Sequence, residues 1–294
     1  MNEDITYRLN ISEEDSYVSR GFCLILVIII NYFNVYHLKY NRYNLFLEDK
    51  QVLEFFDRKY KFLDNKNNNL KINFNSVELQ PIVEKYSINH VKYDAHTIAN
   101  ISALKKLNET FNNTLILKSK YLNIFEHTLE SLNINNGTLG IHIRGTDKYT
   151  EVTPPTIENI FKKIDYFLNN FKITNIFVAT DDMTYLNILI NKYNSIIIYN
   201  KNNIRSTNSH PIHYDFDNRS NLNREVLLDV YVLSKCKYFI YSFSNVSCLA
   251  LIIGINNFDH ILNLNLVETR DLQKKISKTE TFLKLKNGRF KLSY

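Results

Sequence analysis

The most chemically loaded stretch of the chain is Gly140 to Glu151, reading Gly-Ile-His-Ile-Arg-Gly-Thr-Asp-Lys-Tyr-Thr-Glu. An apolar, β-prone run (Leu139, Ile141, Ile143) carries His142 and ends in a loop holding Arg144, Gly145, Asp147, Lys148 and Glu151. Charge gathered at the end of a buried strand marks a candidate site, because an Arg can fork onto a phosphate and a carboxylate can take a proton from a hydroxyl. A second cluster, Ser242, Ser244, Asn245 and Ser247, falls between an apolar strand and the start of a helix. Free backbone N–H groups and the helix dipole attract an anion there, although the same serines suit a plain N-cap. Asp229 interrupts the apolar run Val226-Leu227-Leu228-Asp229-Val230, with Arg224 earlier on the same helix. A carboxylate so placed needs a partner, either a donor edge of a ligand or a basic side chain.

Other chemistry is disfavoured. No Gly-x-Gly-x-x-Gly follows a strand, no Gly-Lys-Ser/Thr opens a helix, and no His-Glu-x-x-His occurs. Asp215-x-Asp217 has the form that metal-dependent sugar transferases use to hold a diphosphate, but it lies inside a long polar loop. His90, His96 and His127 share no metal-ligand spacing. Three cysteines, Cys23, Cys236 and Cys248, sit far apart in apolar segments and read as core residues of a reducing compartment. The net charge of +6 is diffuse, with a Lys-rich concentration from Lys274 through Lys291, and argues against a nucleic-acid partner. A mild positive field suits an anionic ligand such as a nucleotide diphosphate. Phe22 to Ile30, the most apolar run, falls short of a membrane span and follows an acidic flank, so it reads as a buried helix and no membrane span is expected.

The elements that must position these groups alternate. Gly21 precedes the apolar helix, and Asn44 to Leu47 forms a strand before an amphipathic helix carrying Val52, Leu53, Phe55, Phe56 and Tyr60. Helices are expected over Ile101 to Phe111 and Leu115 to Leu132. From Leu139 the alternation becomes regular: strands at Leu139 to Ile143, Asn175 to Ala179, Ser195 to Tyr199, Tyr238 to Tyr241 and His260 to Leu264, with helices between them. Short apolar strands joined by helices imply an α/β protein with a parallel sheet. Ligands bind beyond the carboxyl ends of such strands, and the loops at Arg144 to Glu151, Thr180 to Asp182 and Ser242 to Ser247 all start there. Three polar clusters are therefore expected to face one crevice.

Taken together, His142-Ile-Arg144-Gly-Thr-Asp147-Lys148, Ala179-Thr-Asp-Asp182, Arg224-x-x-Leu-Leu-Asp229 with Ser234 following, and Ser242-Phe-Ser244-Asn245 resemble the α-1,6-fucosyltransferases of animal core N-glycans and bacterial Nod factors. The resemblance covers residues 139 to about 254. It implies a GT-B-like fold of two Rossmann-like domains with a crevice between them, here 1–135 on the acceptor side and 136–294 on the nucleotide-sugar side. It further implies inverting transfer of fucose from GDP-fucose to a glycan hydroxyl, without a metal or other cofactor. Carried over by position, Arg144 holds the β-phosphate, His142 and Asp229 contact guanine, and Arg224, Ser244, Asn245 and Ser247 line the nucleotide site. Lys148 and Glu151 lie beside the reacting centre, with Glu151 or Asp147 as general base.

The animal enzyme carries a second Arg at the Gly145 position, a Ser at the Asn245 position, and its Glu one residue further on. The chain is also short, without an evident coiled-coil stem or SH3-like appendage, so a cytoplasmic location is expected, with peripheral membrane attachment left open. Two alternatives stand beside this reading: a transferase using another donor or a metal at Asp215 and Asp217, and a non-catalytic nucleotide- or carbohydrate-binding protein.

Overall fold

The structure, a computed structural model, describes residues 7–9, 22–23, 25–27, 29–30, 45–47, 50–58, 101–146, 154–207, 212, 218–265 and 283–284. In the N-terminal half β1 (Tyr7–Leu9) pairs in parallel with β2 (Leu45–Leu47). Helix α1 (Lys50–Phe55) runs directly into β3 (Phe56–Arg58). Helix α2 (Ile101–Thr114) likewise runs into β4 (Leu115–Leu117), and α3 (Ser119–Ser131) follows.

Two helices expected from the apolar pattern are thereby shortened. Phe56 leaves the helix begun at Lys50, and Leu115 to Leu117 leave the helix that follows, to form an antiparallel ribbon in which Phe56 faces Leu117 and Arg58 faces Leu115. Phe56 and Leu115 are buried in this geometry, and pairing supplies their backbone groups with partners, so the strand satisfies the same apolar pattern a helix would.

The C-terminal half alternates as expected: β5 (Thr138–Ile143), α4 (Ile157–Asn170), β6 (Asn175–Thr180), α5 (Met183–Tyr193), β7 (Ile197–Ile198), α6 (Arg219–Lys235), β8 (Tyr238–Tyr241), α7 (Asn245–Gly254) and β9 (His260–Asn263). A short β10 (Leu283–Lys284) pairs antiparallel with β9. In space the strands run β10-β9-β8-β5-β6-β7, with β5 through β9 parallel. The chain moves outward from β5 to β7, then returns to the other side of β5 for β8 and β9. This is the doubly wound, Rossmann-like order, and the reversal lies between β5 and β8, where sheets of this kind take ligands at the carboxyl ends. The expected α/β class with a parallel sheet is what the structure shows.

The sheet is buried on both faces, as the near-continuous apolar strands require. Leu139, Ile141 and Ile143 of β5 pack with Ile160, Ile164 and Phe167 of α4 and Leu186 and Leu189 of α5. Across the sheet, Phe177, Phe239 and Tyr241 pack with α6 and α7 in a core that continues through Leu104, Phe125, Phe55 and Phe22. The described residues between 22 and 30 are helical and buried in that core, as the sequence suggested. Among the described residues no helix is long and apolar enough to cross a membrane. α6 lies close over β5 at Gly140, where a Cβ would come within 3.1 Å of both Cys236 Sγ and a Leu233 methyl. Cys23, Cys236 and Cys248 are free and buried.

Candidate nucleotide-sugar site

Three strand ends are tied together at the switch point. Beyond Ile143, the last residue of β5, Arg144 leaves the core with its side chain about one-sixth exposed (17%) and its Nη1 2.7 Å from Asp181 Oδ2. Asp181 follows the last residue of β6, and its carboxylate also accepts the Gly145 N–H at 2.8 Å and the Thr146 hydroxyl at 2.7 Å. From the end of β8, Ser242 Oγ accepts the Arg144 N–H at 2.8 Å, and the Ser242 N–H donates to the His142 carbonyl at 2.9 Å. The clusters at Arg144, Asp181 and Ser242 thus meet at the carboxyl ends of β5, β6 and β8, as the topology demanded.

Asp182, the next residue, serves a different purpose. It is the N-cap of α5 and accepts the Thr184 N–H at 2.7 Å. Gly145 lies against it so closely that a Cβ would stand 2.5 Å from Asp182 Cβ and 2.8 Å from the Tyr185 ring. Only a residue without a side chain fits between the Arg144 loop and α5 as they stand.

His142 lies on the α7 side of β5, buried, with Nδ1 2.7 Å from Ser247 Oγ. The Ser247 hydroxyl donates its proton to the Ser242 carbonyl at 2.8 Å, so His142 must carry its proton on Nδ1, and Nε2 is left as an acceptor. Burial, helped by the nearby Arg144 and opposed by Asp181, pushes the His142 pKa down to about 4, and the ring is neutral at physiological pH. Ser244 caps α7 and accepts the Val246 N–H at 3.2 Å, so the N-cap reading of the Ser turn holds. Beside it, Asn245 Oδ1 is buried without a hydrogen-bond partner among the described residues.

Asp229 is buried on α6, and burial pushes its carboxyl up to about 7 against the opposing influence of Arg205 and an Asn203 side-chain hydrogen bond. The basic side chain that faces it is therefore Arg205, from the loop after β7, and not Arg224. Arg224 is exposed on α6. Arg205 is buried, donates to the carbonyls of Asn203 and Asn200 at 3.1 and 3.0 Å, and lies 5.2 Å from the Tyr199 ring centroid. Its loop is fastened to β6 by the Ser206 N–H on the Asp181 carbonyl at 2.8 Å and the Met183 N–H on the Ser206 carbonyl at 2.9 Å.

The structure thus brings His142, Arg144, Ser244, Asn245 and Ser247 to one end of the sheet, with Asp229 on the helix that packs over β5. Asp147, Lys148 and Glu151, like Asp215, Asp217, His90 and His96, lie outside the described residues. Among the described residues no group of three or more His, Cys, Asp and Glu could hold a metal ion. Sequence reasoning gave no role to Asp181, Ser242 or Arg205. The Asp181-Asp182 doublet at a strand end signals the first, and the Ser turn contains the second. Arg205 lies in a polar loop that offers no pattern.

Residues 113–252 match the family described as alpha-(1,6)-fucosyltransferase N- and catalytic domains. No curated protein sequence matches the chain. Among solved structures, NodZ α-1,6-fucosyltransferase co-crystallised with GDP is 15% identical at a TM-score of 0.39, over 53% of this chain and 47% of that one. Fucosyltransferase NodZ from Bradyrhizobium is 12% identical at a TM-score of 0.46, over 85% of this chain and 94% of that one. POFUT1 in complex with GDP is 10% identical at a TM-score of 0.36, over 54% of this chain and 49% of that one. The chain thus spans about half the length of the first and third of these structures. The family match includes β5 through β8 and with them His142, Arg144, Asp181, Asp229 and the Ser244 turn. Over residues 113–252 the chain is α-1,6-fucosyltransferase-like.

Proposed function

We propose that this protein transfers fucose from GDP-fucose to a glycan hydroxyl with inversion at the anomeric carbon. The observation that carries the reading is Arg144, fixed by Asp181 at the switch point and tied through Ser242 to the strand that leads into α7. A cation so held is aimed by the fold and not by its own flexible stem, which suits a diphosphate whose negative charge grows as the glycosidic bond breaks. The uncapped N–H groups in the first turn of α7 supply further donors. In the compared structures NodZ appears with GDP and with GDP-fucose, which supports a guanine nucleotide as the carrier.

In this mechanism the acceptor oxygen attacks the anomeric carbon, its proton passes to Glu151 or Asp147, and the electron pair of the breaking C–O bond leaves with GDP. Lys148 offsets charge near the reacting centre. His142, neutral with Nε2 free to accept, and Asp229 read the donor edge of guanine. Arg144 and the α7 donors neutralise the leaving diphosphate, so the reading needs no metal. It places acceptor recognition in residues 1–135 and nucleotide binding in 136–294. Free buried cysteines suit a reducing, cytoplasmic setting. The test is turnover of GDP-fucose against a panel of glycan acceptors, with and without chelator. Fucosylated product that survives chelator is the expected result, and thermal stabilisation by UDP or ADP but not GDP would overturn the donor assignment.

A further inference from the structure

The loop after β7 lies along one face of α6. The Ile204 N–H donates to Glu225 Oε2 at 2.9 Å, and the Asn203 side chain hydrogen-bonds Asp229, which is four residues further along the helix. Arg205, between Ile204 and the Ser206 strap at the end of β6, is thereby fixed in the loop beside this helix, with two of its nitrogens spent on the carbonyls of Asn203 and Asn200 and its charge acting on Asp229. Three polar atoms in this cluster are buried without a hydrogen-bond partner among the described residues: Asp229 Oδ1, Arg205 Nε and Asn203 Oδ1. A buried carboxylate and a buried guanidinium with an unpaired donor are costly features, and a loop that merely needed anchoring would not keep them. Glu225 on the same helix also acts on Asp229 and opposes its charge, while the Cys23 thiol of the N-terminal helical segment is itself pushed up by burial and by Asp229 and stays neutral.

We infer that Arg205 is a positioning residue for nucleotide-base recognition: pinned in the loop that is bonded to α6, its guanidinium favours the charged form of Asp229, whose two oxygens then accept from the imino and amino groups of a purine donor edge. This rests on the proposed guanine-nucleotide reading. A protonated Asp229 has one oxygen committed as a donor, which opposes the two donors of guanine. Arg205 supplies the cation that holds the proton off, while burial and Glu225 favour the proton.

The experiment measures GDP and ADP affinity between pH 5.5 and 8.5, all as assay settings of about half-unit steps, for the wild type, Arg205→Met and Arg205→Lys. For the wild type, GDP affinity should fall as pH drops through about 7. Arg205→Met should move that midpoint up by about one pH unit and weaken GDP binding about tenfold at neutral pH, whereas Arg205→Lys, which keeps the charge, should restore most of the profile. A folded Arg205→Met protein with an unchanged midpoint overturns the inference while leaving the guanine reading intact. If Arg205→Met does not fold, Arg205→Lys decides: a wild-type midpoint and preference for GDP support the role, and a lost preference overturns it. Equal affinity of the wild type for ADP and GDP overturns the guanine reading and this inference with it.

Discussion

Asp181 holds Arg144 through an ion pair of 2.7 Å and, with the same carboxylate, accepts the amide of Gly145 and the hydroxyl of Thr146. One acidic side chain from just beyond β6 therefore shapes three consecutive residues of the loop after β5. Replacing it with Asn leaves one acceptor oxygen for three donors and removes the charge facing Arg144. Asp181→Asn should lower stability by about 1–3 kcal/mol and also weaken GDP binding, because Arg144 loses its brace. Urea unfolding and calorimetric titration check the two halves separately. Unchanged GDP affinity in a destabilised variant would reduce Asp181 to a structural role.

Arg144 itself should be needed for the donor and not for the fold. Arg144→Ala should abolish thermal stabilisation by GDP, and Glu151→Ala should leave it in place while removing turnover. Arg144→Lys should recover only part of the binding, since an ammonium cannot reproduce a guanidinium fork shared between Asp181 and a phosphate. Equal GDP affinity for wild type and Arg144→Ala would sink the assignment.

Gly145 must be small here, and the structure gives the reason. Gly145→Ala places a methyl 2.5 Å from Asp182 Cβ, on a rigid helix cap. The expected loss is about 1–3 kcal/mol, read as a lower midpoint in urea, with a further loss of GDP affinity because Arg144 is displaced. A fully stable Gly145→Ala protein would show that the loop moves aside freely.

His142 and Asp229 act in opposition on the pH dependence of stability. Burial lowers the imidazole from 6.5 to about 4 and raises the carboxyl from 3.8 to about 7. From pH 6.5 down to 4 the unfolded chain gains a proton at His142 that the fold refuses, so His142 alone makes stability fall on acidification. Over nearly the same window the fold keeps a proton on Asp229 that the unfolded chain lacks, so Asp229 alone makes stability rise. The two slopes largely cancel. Asp229→Asn should expose the first slope, with stability falling by about 3 kcal/mol at most between pH 6.5 and 4. The same variant should lie below the wild type in stability at pH 8, because the buried Arg205 guanidinium loses the carboxylate that supports its charge. Denaturant midpoints across pH check both, and parallel profiles for the two proteins would contradict the opposition.

The parallel sheet was legible because each strand is a short apolar run followed by a helix with one apolar face, and the polar residues at strand ends stand out against that background. His142, Arg144, Ser244 and Ser247 were visible for this reason. The β3–β4 ribbon was not, since Phe56 and Leu115 satisfy a helical pattern and a paired strand equally well. Asp181 and Asp182 look alike in sequence, yet one turns toward the β5 loop and the other caps α5, a difference that arises only when β5 and β6 pair. Arg205 escaped because Asp229, on whose charge it acts, belongs to the next helix, and polar loops carry no periodicity to betray such a juxtaposition.

The bond from Arg144 to Ser242 joins residues 98 apart in the chain, because β8 takes its place beside β5 only after β6, β7 and their helices have been laid down. Closing so long a loop is entropically slow and is rewarded only when the strands finally pair. During synthesis, Arg144 and Asp181 will have left the ribosome well before Ser242 and α7 exist to complete the crevice. Nucleotide affinity should therefore appear as a late event in folding, and a ligand such as GDP would act on maturation by trapping chains whose β8 has docked, not by guiding the earlier half.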